Sequence, residues 1–223
     1  MMLHNINTRV YYLSIHSRRL FNMLKQAALI ALLGMSASAA MAGQWQVKVG
    51  ASSLAPSSDT TLAPGVLVEA AQEYGFTPSV EYFFQDNISA ELLLATPFNH
   101  DVLVNGANAA KLKHLPPTIT AKYHFKNNTR FTPYIGVGGT AFIAWDEKGV
   151  AKDVKEDFGV AGQIGFNYQP ADAKNWGVFA DVRYAKLSPE VTLDDATAAA
   201  VGKTKFDLDI DPVVYTLGYS YKF

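Results

Sequence analysis

The polar faces of the chain's alternating segments carry six ionisable side chains, and these are the first candidates for acid–base or ion-binding chemistry. They are Glu81, Glu91, Lys122, His124, Asp181 and Arg183. Buried acids and bases at such density are expected to pair with one another, because an unpaired charge in a dry interior is costly. The sequence therefore favours a structural plug over a polar path for solutes.

A second group of candidates consists of His100, Asp101 and His114, which flank one predicted loop and could meet in space. Their spacing matches no recognised metal pattern, so a solvated loop is favoured over a metal site. No Ser-His-Asp order, phosphate-binding loop or metal signature occurs, and the chain has no Cys. The sequence predicts no catalytic residue, no metal and no cofactor, so the chain is not expected to be an enzyme.

Eight segments with period-two alternation have to position these side chains. They run over about 44–49, 74–84, 88–94, 115–125, 131–145, 158–168, 176–184 and 216–223. The connections alternate in length: long at about 53–71, 99–111, 146–157 and 187–203, and short at 85–87, 126–130 and 169–175. This predicts an all-β fold, an eight-stranded antiparallel up-and-down transmembrane β-barrel. A soluble lipocalin-like barrel is disfavoured, because the polar, Gly-rich face is the one that a small lumen accepts.

Residues 23–42 form the only long apolar run, and they predict a cleaved signal peptide. Lys25 precedes the apolar centre, and Ala40 and Ala42 complete an A-x-A-like site before Gly43. The apolar centre is too short for a transmembrane helix, which needs about 20 residues. The predicted organisation is a prefix at 1–22, a signal peptide at 23–42 and the barrel at 43–223.

The prefix has no counterpart in ordinary signal peptides. One interpretation is that the start is assigned too early and that Met23 is the initiator. A rival interpretation is a twin-arginine export signal around Arg18 and Arg19. That route carries folded proteins, whereas a lipid-facing barrel must cross the inner membrane unfolded, so a coincidence is favoured.

The charge balance argues against a nucleic-acid partner. The whole chain has 19 basic and 20 acidic residues. Four of the basic residues and none of the acids precede Gly43, which leaves 19 − 4 = 15 basic against 20 acidic groups in the predicted barrel. A product with a net charge of −5 is expected to be repelled by nucleic acid.

The last strand carries an aromatic face and a small or polar face, and it ends the chain on an aromatic residue. Thr216, Gly218, Tyr221 and Phe223 resemble the C-terminal insertion signal of bacterial outer-membrane barrels. The strand is expected to close the barrel against residues 45–47. The barrel assembly machinery and outer-membrane lipids are therefore predicted partners. Aromatic residues beside the short turns predict a periplasmic girdle, which places both termini in the periplasm of a Gram-negative cell.

Several stretches resemble one known family, outer membrane protein W. They are Glu91–Phe98, Leu112–Thr118, Phe131–Gly136 and Leu208–Pro212, and the likeness covers essentially all of residues 43–223. The resemblance implies an eight-stranded barrel with a narrow hydrophobic channel for passive uptake of small hydrophobic molecules. It also implies sideways release of such molecules into the membrane through a gap in the wall. The third outer loop, at 146–157, is rather short, which leaves the size of the substrate open.

Two sets of residues are candidates for that route. The resemblance at Ala95–Phe98 implies a lateral exit beside Pro97, whereas a simpler interpretation is that Pro97, Pro116 and Pro117 only mark strand ends. Apolar residues that point inward near the outer end predict the channel lining: Leu93, Phe142, Ile210 and Val214. The alternatives are a surface receptor, adhesin or structural barrel without transport, and, as a minor one, an outer-membrane lipid-modifying enzyme.

Overall fold

The computed structural model describes residues 45–223, and it is built almost entirely of strands. In chain order these are β1 (Trp45–Ala55), β2 (Thr60–Ala63), β3 (Val66–Ala70), β4 (Glu73–Gln85), β5 (Ile88–Leu93), β6 (Phe98–Val104), β7 (Ala107–Leu115) and β8 (Thr118–His124). They continue as β9 (Phe131–Gly149), β10 (Ala151–Val154), β11 (Asp157–Tyr168), β12 (Trp176–Ala185), β13 (Glu190–Leu193), helix α1 (Asp195–Val201), β14 (Lys205–Asp207) and β15 (Val213–Lys222).

Eight of these strands close into a barrel. Each pairs antiparallel with its neighbours in the order β1, β4, β5, β8, β9, β11, β12 and β15. The ring closes where β15 pairs with β1, with Val47 opposite Tyr221, and the amide of Phe223 donates to the carbonyl of Trp45 at 2.9 Å. The predicted eight-stranded barrel and its closing strand are confirmed.

The outer surface of the barrel is a belt of exposed apolar side chains. Val137, Val160 and Leu217 each expose about two thirds of their surface, at 69%, 68% and 66%. A water-soluble barrel would bury this face, whereas a lipid-facing barrel exposes it. Within residues 45–223, no helix is long and apolar enough to span a membrane.

Aromatic rings crowd the end of the barrel that carries the short turns. Tyr82 packs edge-on against Phe84 with ring centroids 5.0 Å apart, and Tyr221 packs in the same way against Phe223 at 5.0 Å. Trp45 lies 4.8 Å from Tyr82. Rings of this kind mark the interface between lipid tails and water.

The four long connections were predicted to be loops, and this prediction is wrong. Each contains strands that lie beyond the end of the barrel opposite the short turns, which we call the upper end. The stretch 53–71 includes β2 and β3, 99–111 includes parts of β6 and β7, 146–157 includes β10, and 187–203 includes β13 and α1. β6 and β7 form a hairpin, β3 pairs with β6, and β7 pairs with the upper half of the 19-residue β9. Apolar residues at alternate positions, such as Ala110 and Leu112, give these strands a buried face.

Some predicted strand ends are also wrong. The predicted fourth strand is two strands, because Leu115 ends β7, Pro116 and Pro117 interrupt the pairing, and β8 starts at Thr118. The third barrel strand ends at Leu93, within one residue of its predicted end at 94, and Pro97 lies beyond it. The predicted prefix, signal peptide and cleavage residues Ala40, Ala42 and Gly43 lie outside the described residues.

Candidate functional site

A network of charged side chains crosses the lumen next to a cavity of about 650 Å³ at the short-turn end, which Gln46, His124 and Lys222 help to line. Lys48, Lys122 and Arg183 supply three positive charges, and Glu81, Glu91 and Asp181 supply three carboxylates, all at most 5% exposed. Alternation along β1, β4, β5, β8 and β12 points all six inward. Leaving His124 aside, the charges balance, which is what a low-dielectric lumen requires.

Glu81 is at the centre of one half of this network. Its carboxylate contacts the ammonium groups of Lys48 at 2.5 Å and Lys122 at 3.1 Å. It also accepts a hydrogen bond from the Ser89 hydroxyl at 2.5 Å and contacts His124 Nε2 at 2.9 Å. Four partners around one carboxylate offset the loss of its hydration.

Glu91 organises the other half. Lys122 Nζ lies 3.1 Å from it, Ser79 donates to it at 2.6 Å, and Gln163 Nε2 donates at 3.2 Å. The guanidinium of Arg183 lies 3.6 Å away and also donates from Nε to Gln163 Oε1 at 2.9 Å. Lys122 therefore bridges both carboxylates, and the network spans the lumen as a plug.

Aromatic rings and small residues complete the plug. The ammonium of Lys122 lies 3.8 Å from the ring centroid of Tyr134, whose hydroxyl donates to Asp181 at 3.1 Å. Gly136 makes room for the long side chains, since a Cβ there would lie 2.8 Å from Gln163 Cγ. Gly218 does the same for Phe179, whose ring a Cβ would approach to 2.8 Å.

The contacts of Ser89, His124 and Glu81 differ from those of a hydrolase triad. Ser89 Oγ and Glu81 Oε1 both lie 2.9 Å from the same ring nitrogen, Nε2 of His124. A triad needs the serine and the acid on opposite nitrogens, with the serine open to substrate. Here all three side chains are at most 1% exposed, so the serine is closed to substrate and the cluster is part of the packed plug.

Sequence reasoning found six members of the network but missed four others. Lys48, Gln163, Tyr134 and Phe179 also point into the lumen. The sequence does indicate their direction, because each lies on the polar face of the period-two pattern of its strand. The large aromatic rings of Tyr134 and Phe179 are the least expected on that face.

Above the plug lies an apolar cavity of about 180 Å³ between the extensions of the barrel strands. Apart from Thr197, its lining residues are apolar, and they include Leu62, Val68, Leu112, Val154, Val191 and Phe206. An engineered apolar cavity of about 150 Å³ in another protein stays dry and binds benzene. The cavity is therefore large enough for one small apolar molecule.

Helix α1 closes one side of this cavity through Thr197 and Val201. The carboxylate of Asp194 caps the helix by accepting from the amides of Ala196 at 2.9 Å and Thr197 at 3.0 Å. Its bonds with the hydroxyl and amide of Thr197 hold the pKa of Asp194 below its ordinary value. Gly202 ends the helix with φ at 71°, a left-handed conformation that glycine adopts without strain.

The predicted channel residues are near this region but do not form one group. Phe142 and Ile210 belong to the apolar cluster around the cavity. Leu93 is buried lower in the barrel, and Val214 is half-buried on the inward face of β15. Most of the cavity lining was missed, because it comes from stretches that were interpreted as loops.

The wall of the barrel has a gap at its outer end, between residues 94–97 and residues 115–117. Pairing holds below it, with Leu93 opposite Thr118, and resumes above it, with Phe98 opposite His114. In the described part of the chain no backbone hydrogen bond joins the two segments across the gap.

The two segments that border the gap, which we call its lips, are each hydrogen-bonded to the strand on the side away from the gap. The amides of Leu94 and Thr96 donate to β4 carbonyls at 2.8 Å, and the carbonyl of Pro117 accepts from Ala141 on β9 at 3.0 Å. Pro97 is exposed and lies in the first lip, and Pro116 and Pro117 lie in the second. The prolines therefore lie where the ladder is interrupted.

The candidate metal ligands do not form a described site. Asp101 pairs with Lys111 at 3.1 Å, and His114 packs between the rings of Phe98 and Phe142. The side chain of His100 lies outside the described set. Among the described side chains, no group of three His, Asp or Glu residues could hold a metal ion.

Comparison with known proteins agrees with this architecture. The chain matches the model of the OmpW family over residues 41–223. It is 34% identical over 217 residues to outer membrane protein W of Vibrio cholerae, a match that covers 88% of this chain and 96% of that protein. The protein of the same name in Escherichia coli is 30% identical over 214 residues, with the same coverage.

A solved structure has the same fold. The crystal structure of the outer membrane protein OprG from Pseudomonas aeruginosa aligns with a TM-score of 0.73 at 28% identity. The alignment covers 82% of this chain and 97% of that one. This chain belongs to the OmpW family. It is an outer-membrane β-barrel of a kind found in Gram-negative bacteria.

In this OmpW-family barrel, two of the stretches that carried the sequence resemblance face each other. Glu91–Phe98 includes one lip of the gap, and Leu112–Thr118 includes the other. The four residues of the predicted insertion signal have packing roles in the closed barrel. Tyr221 and Phe223 belong to the aromatic belt, Thr216 bonds Ser52 at 2.8 Å, and Gly218 packs against Phe179.

Proposed function

We propose that this barrel carries small hydrophobic molecules passively from the outside into the outer membrane, with release through the gap beside Pro97. The observation that carries the proposal is an apolar cavity above a wall gap, with a charged plug below both. An apolar solute gains nothing by entering a network of paired charges, so the plug favours a sideways exit.

The size of the cavity supports a narrow substrate class. About 180 Å³ accommodates one or two fused aromatic rings or a short alkyl chain rather than a drug-sized ligand, whose pockets span roughly 300–1,000 Å³. The family resemblance implies the same class. No chemical step is part of the proposal, and its partners are small hydrophobic solutes, outer-membrane lipids and the barrel assembly machinery.

The proposal also includes an orientation. We infer that the short turns and both ends of the barrel chain face the periplasm, with the cavity outside. The short connections and the aromatic pairs lie at the same end as Trp45 and Phe223, which supports this direction.

Replacing Pro97 by valine tests the exit. Valine restores an amide that can bond across the gap, and a ladder bond worth about 1 kcal/mol would lower the open population and the uptake rate roughly fivefold. The measurement is naphthalene uptake by cells with a lipopolysaccharide outer leaflet that lack their own family member, followed by fluorescence in filtered cells.

The matched control is Pro133→Val, which changes a proline in the paired part of β9, opposite Phe166. Folding of each variant is checked by heat-modifiable migration on a gel. Uptake that stays unchanged in correctly folded Pro97→Val would mean that Pro97 only ends a strand. Uptake no faster than in cells without the barrel would remove the transport function altogether and favour a receptor, adhesin or structural role.

A further inference from the structure

Three aromatic rings lie in a row at the upper margin of the gap: Phe98 on β6, His114 on β7 and Phe142 on β9. Phe98 and His114 have centroids 5.5 Å apart with planes at 22°, and His114 and Phe142 have centroids 4.9 Å apart at 20°. All three side chains are buried, with at most 3% exposed. We call these three residues the ring stack.

The ring stack lies between the cavity and the gap. Ala110 and Leu112 line the cavity, and His114 is the next residue on the same face of β7. On β9, Phe142 follows Ala141, which bonds Pro117 in the lip of the gap. A solute that leaves the cavity for the gap therefore has to pass the ring stack.

Phe98 packs against β4, the strand that neighbours β5 on the side away from the gap. Its ring lies against Gly75 on β4, where a Cβ would approach Phe98 Cε1 to 2.6 Å. The ring fills the space that a side chain at position 75 would need. The ring stack thus reaches from β4 to β9 and closes the inner side of the gap.

Of the three rings, Phe98 has the weakest attachment to the sheet. Phe142 lies within the 19 residues of β9, with Asp157 of β11 opposite it. His114 lies in β7, which is paired with both β6 and β9. Phe98 is the first residue of β6, directly after Pro97, and the pairing of β6 with β3 begins only at Val102.

We propose that the ring stack is the gate of the lateral exit and that Phe98 is the ring that swings away to open it. This inference rests on the proposed uptake function. It adds that the ring of Phe98 determines how fast a solute leaves and how large that solute can be. Because Pro97 has no amide, the backbone next to Phe98 lacks a ladder hydrogen bond and can act as a hinge. Gly75 leaves the space that the ring of Phe98 occupies in the closed state. When a solute passes, the ring of Phe98 loses its contacts with the neighbouring rings.

Three variants test the gate in the same naphthalene uptake assay. Phe98→Ala removes the swinging ring, and uptake is expected to rise roughly 2- to 10-fold, the factor that corresponds to the worth of one aromatic pair. Gly75→Ala displaces the ring from its seat and should also raise uptake. Phe98→Leu keeps most of the packing volume and should give a smaller rise, so it covers the case in which alanine prevents folding.

A second readout separates a gate from a structural effect. The slightly larger solute 2-methylnaphthalene should gain more than naphthalene from Phe98→Ala, because a wider opening matters most for a larger solute. The matched control is Phe158→Ala, which removes a ring that is 75% exposed on the lipid face of β11. It should leave both rates unchanged.

The outcomes separate the gate from the transport function. If uptake is unchanged or lower in folded Phe98→Ala and Phe98→Leu while Pro97→Val still lowers it, the gate is wrong and the exit stands. Equal gains for both solutes would also overturn the gate. If neither the wild type nor any variant exceeds cells without the barrel, both proposals fail.

Discussion

The lower lumen and the outer cavity are parts of the same barrel, and their interiors are built in opposite ways. Below, three positive groups and three carboxylates cross the lumen with contacts such as the 2.5 Å pair of Lys48 and Glu81. Above, apolar side chains leave about 180 Å³ unfilled. The two regions therefore differ both in the chemistry of their side chains and in how completely these fill the space.

The difference follows from what each kind of side chain requires. A buried charge must find a partner, so long side chains from five strands converge until every one is paired. An apolar side chain has no such requirement, and a cavity whose lining offers water no hydrogen-bond partners can stay empty at the cost of lost dispersion contacts. The paired charges of the plug therefore leave no room for a solute, whereas the apolar side chains above it leave a cavity that a solute can occupy.

The largest expected effect comes from breaking the charge balance with Glu81→Gln. The substitution keeps the shape but leaves three buried positive charges facing two carboxylates. Removing one member of a buried ion pair typically costs about 3–5 kcal/mol. Urea unfolding of the barrel in lipid vesicles, followed by gel mobility, should report a loss of unfolding free energy of that size.

Ser89→Ala is the control for the Glu81 variant. It removes an uncharged donor to the same carboxylate, and a hydrogen bond to a charged group is worth about 1.5–3 kcal/mol. A Glu81→Gln cost no larger than that of Ser89→Ala would mean that water fills the lower lumen. The contrast between a sealed plug and a dry cavity would then be lost.

The second effect is functional and comes from filling the cavity with Ala151→Leu. Ala151 lies on β10, is 7% exposed and lines the cavity, so the larger side chain occupies the space of the solute. We expect naphthalene uptake to fall severalfold with unfolding free energy changed by less than about 1.5 kcal/mol, as for a side chain placed in an existing void.

Ala200→Leu makes the same change on the exposed side of helix α1 and should leave uptake unaltered. If the Ala151→Leu variant takes up naphthalene at the wild-type rate, the cavity does not lie on the path of the solute. The apolar region would then differ from the plug in packing only.

The barrel itself was predictable from the sequence because its signal is local. Alternation places Lys48 inward and Val49 outward whatever the rest of the chain does, and the aromatic pattern from Tyr215 to Phe223 marks the closing strand. The strands above the barrel were missed because their pairing is set by distant partners. Lys113 opposite Trp145 is one example that no local pattern specifies.

The candidate site was predictable only in part, for the same reason. Pro97 was singled out because proline lacks an amide, and it does lie where the ladder is interrupted. The seat of Phe98 on Gly75 depends on β4 and the start of β6 meeting across 23 positions of sequence. Nothing local in either stretch specifies that contact.

The smallest expected effect is at Glu190, the half-buried counterpart of Glu81 in the outer strands. Its carboxylate contacts the ammonium groups of Lys155 at 2.7 Å and Lys205 at 2.9 Å, and these hydrogen bonds lower the pKa of Glu190 to about 2. A lowered carboxyl pKa stabilises the fold above the ordinary value of 4.5, and that contribution is lost as the pH falls toward 2.

Amide resonances of β13 and β14 in NMR spectra should therefore titrate with a midpoint near 2 in the wild type and should not titrate there in Glu190→Gln. Because solvent and salt screen exposed pairs, the variant should leave the unfolding free energy of the barrel almost unchanged. A midpoint near 4.5 would mean that the pairs do not form in solution. A large loss of barrel stability in Glu190→Gln would instead mean that the outer strands depend on charge pairing as the plug does, which would remove the difference between the two regions.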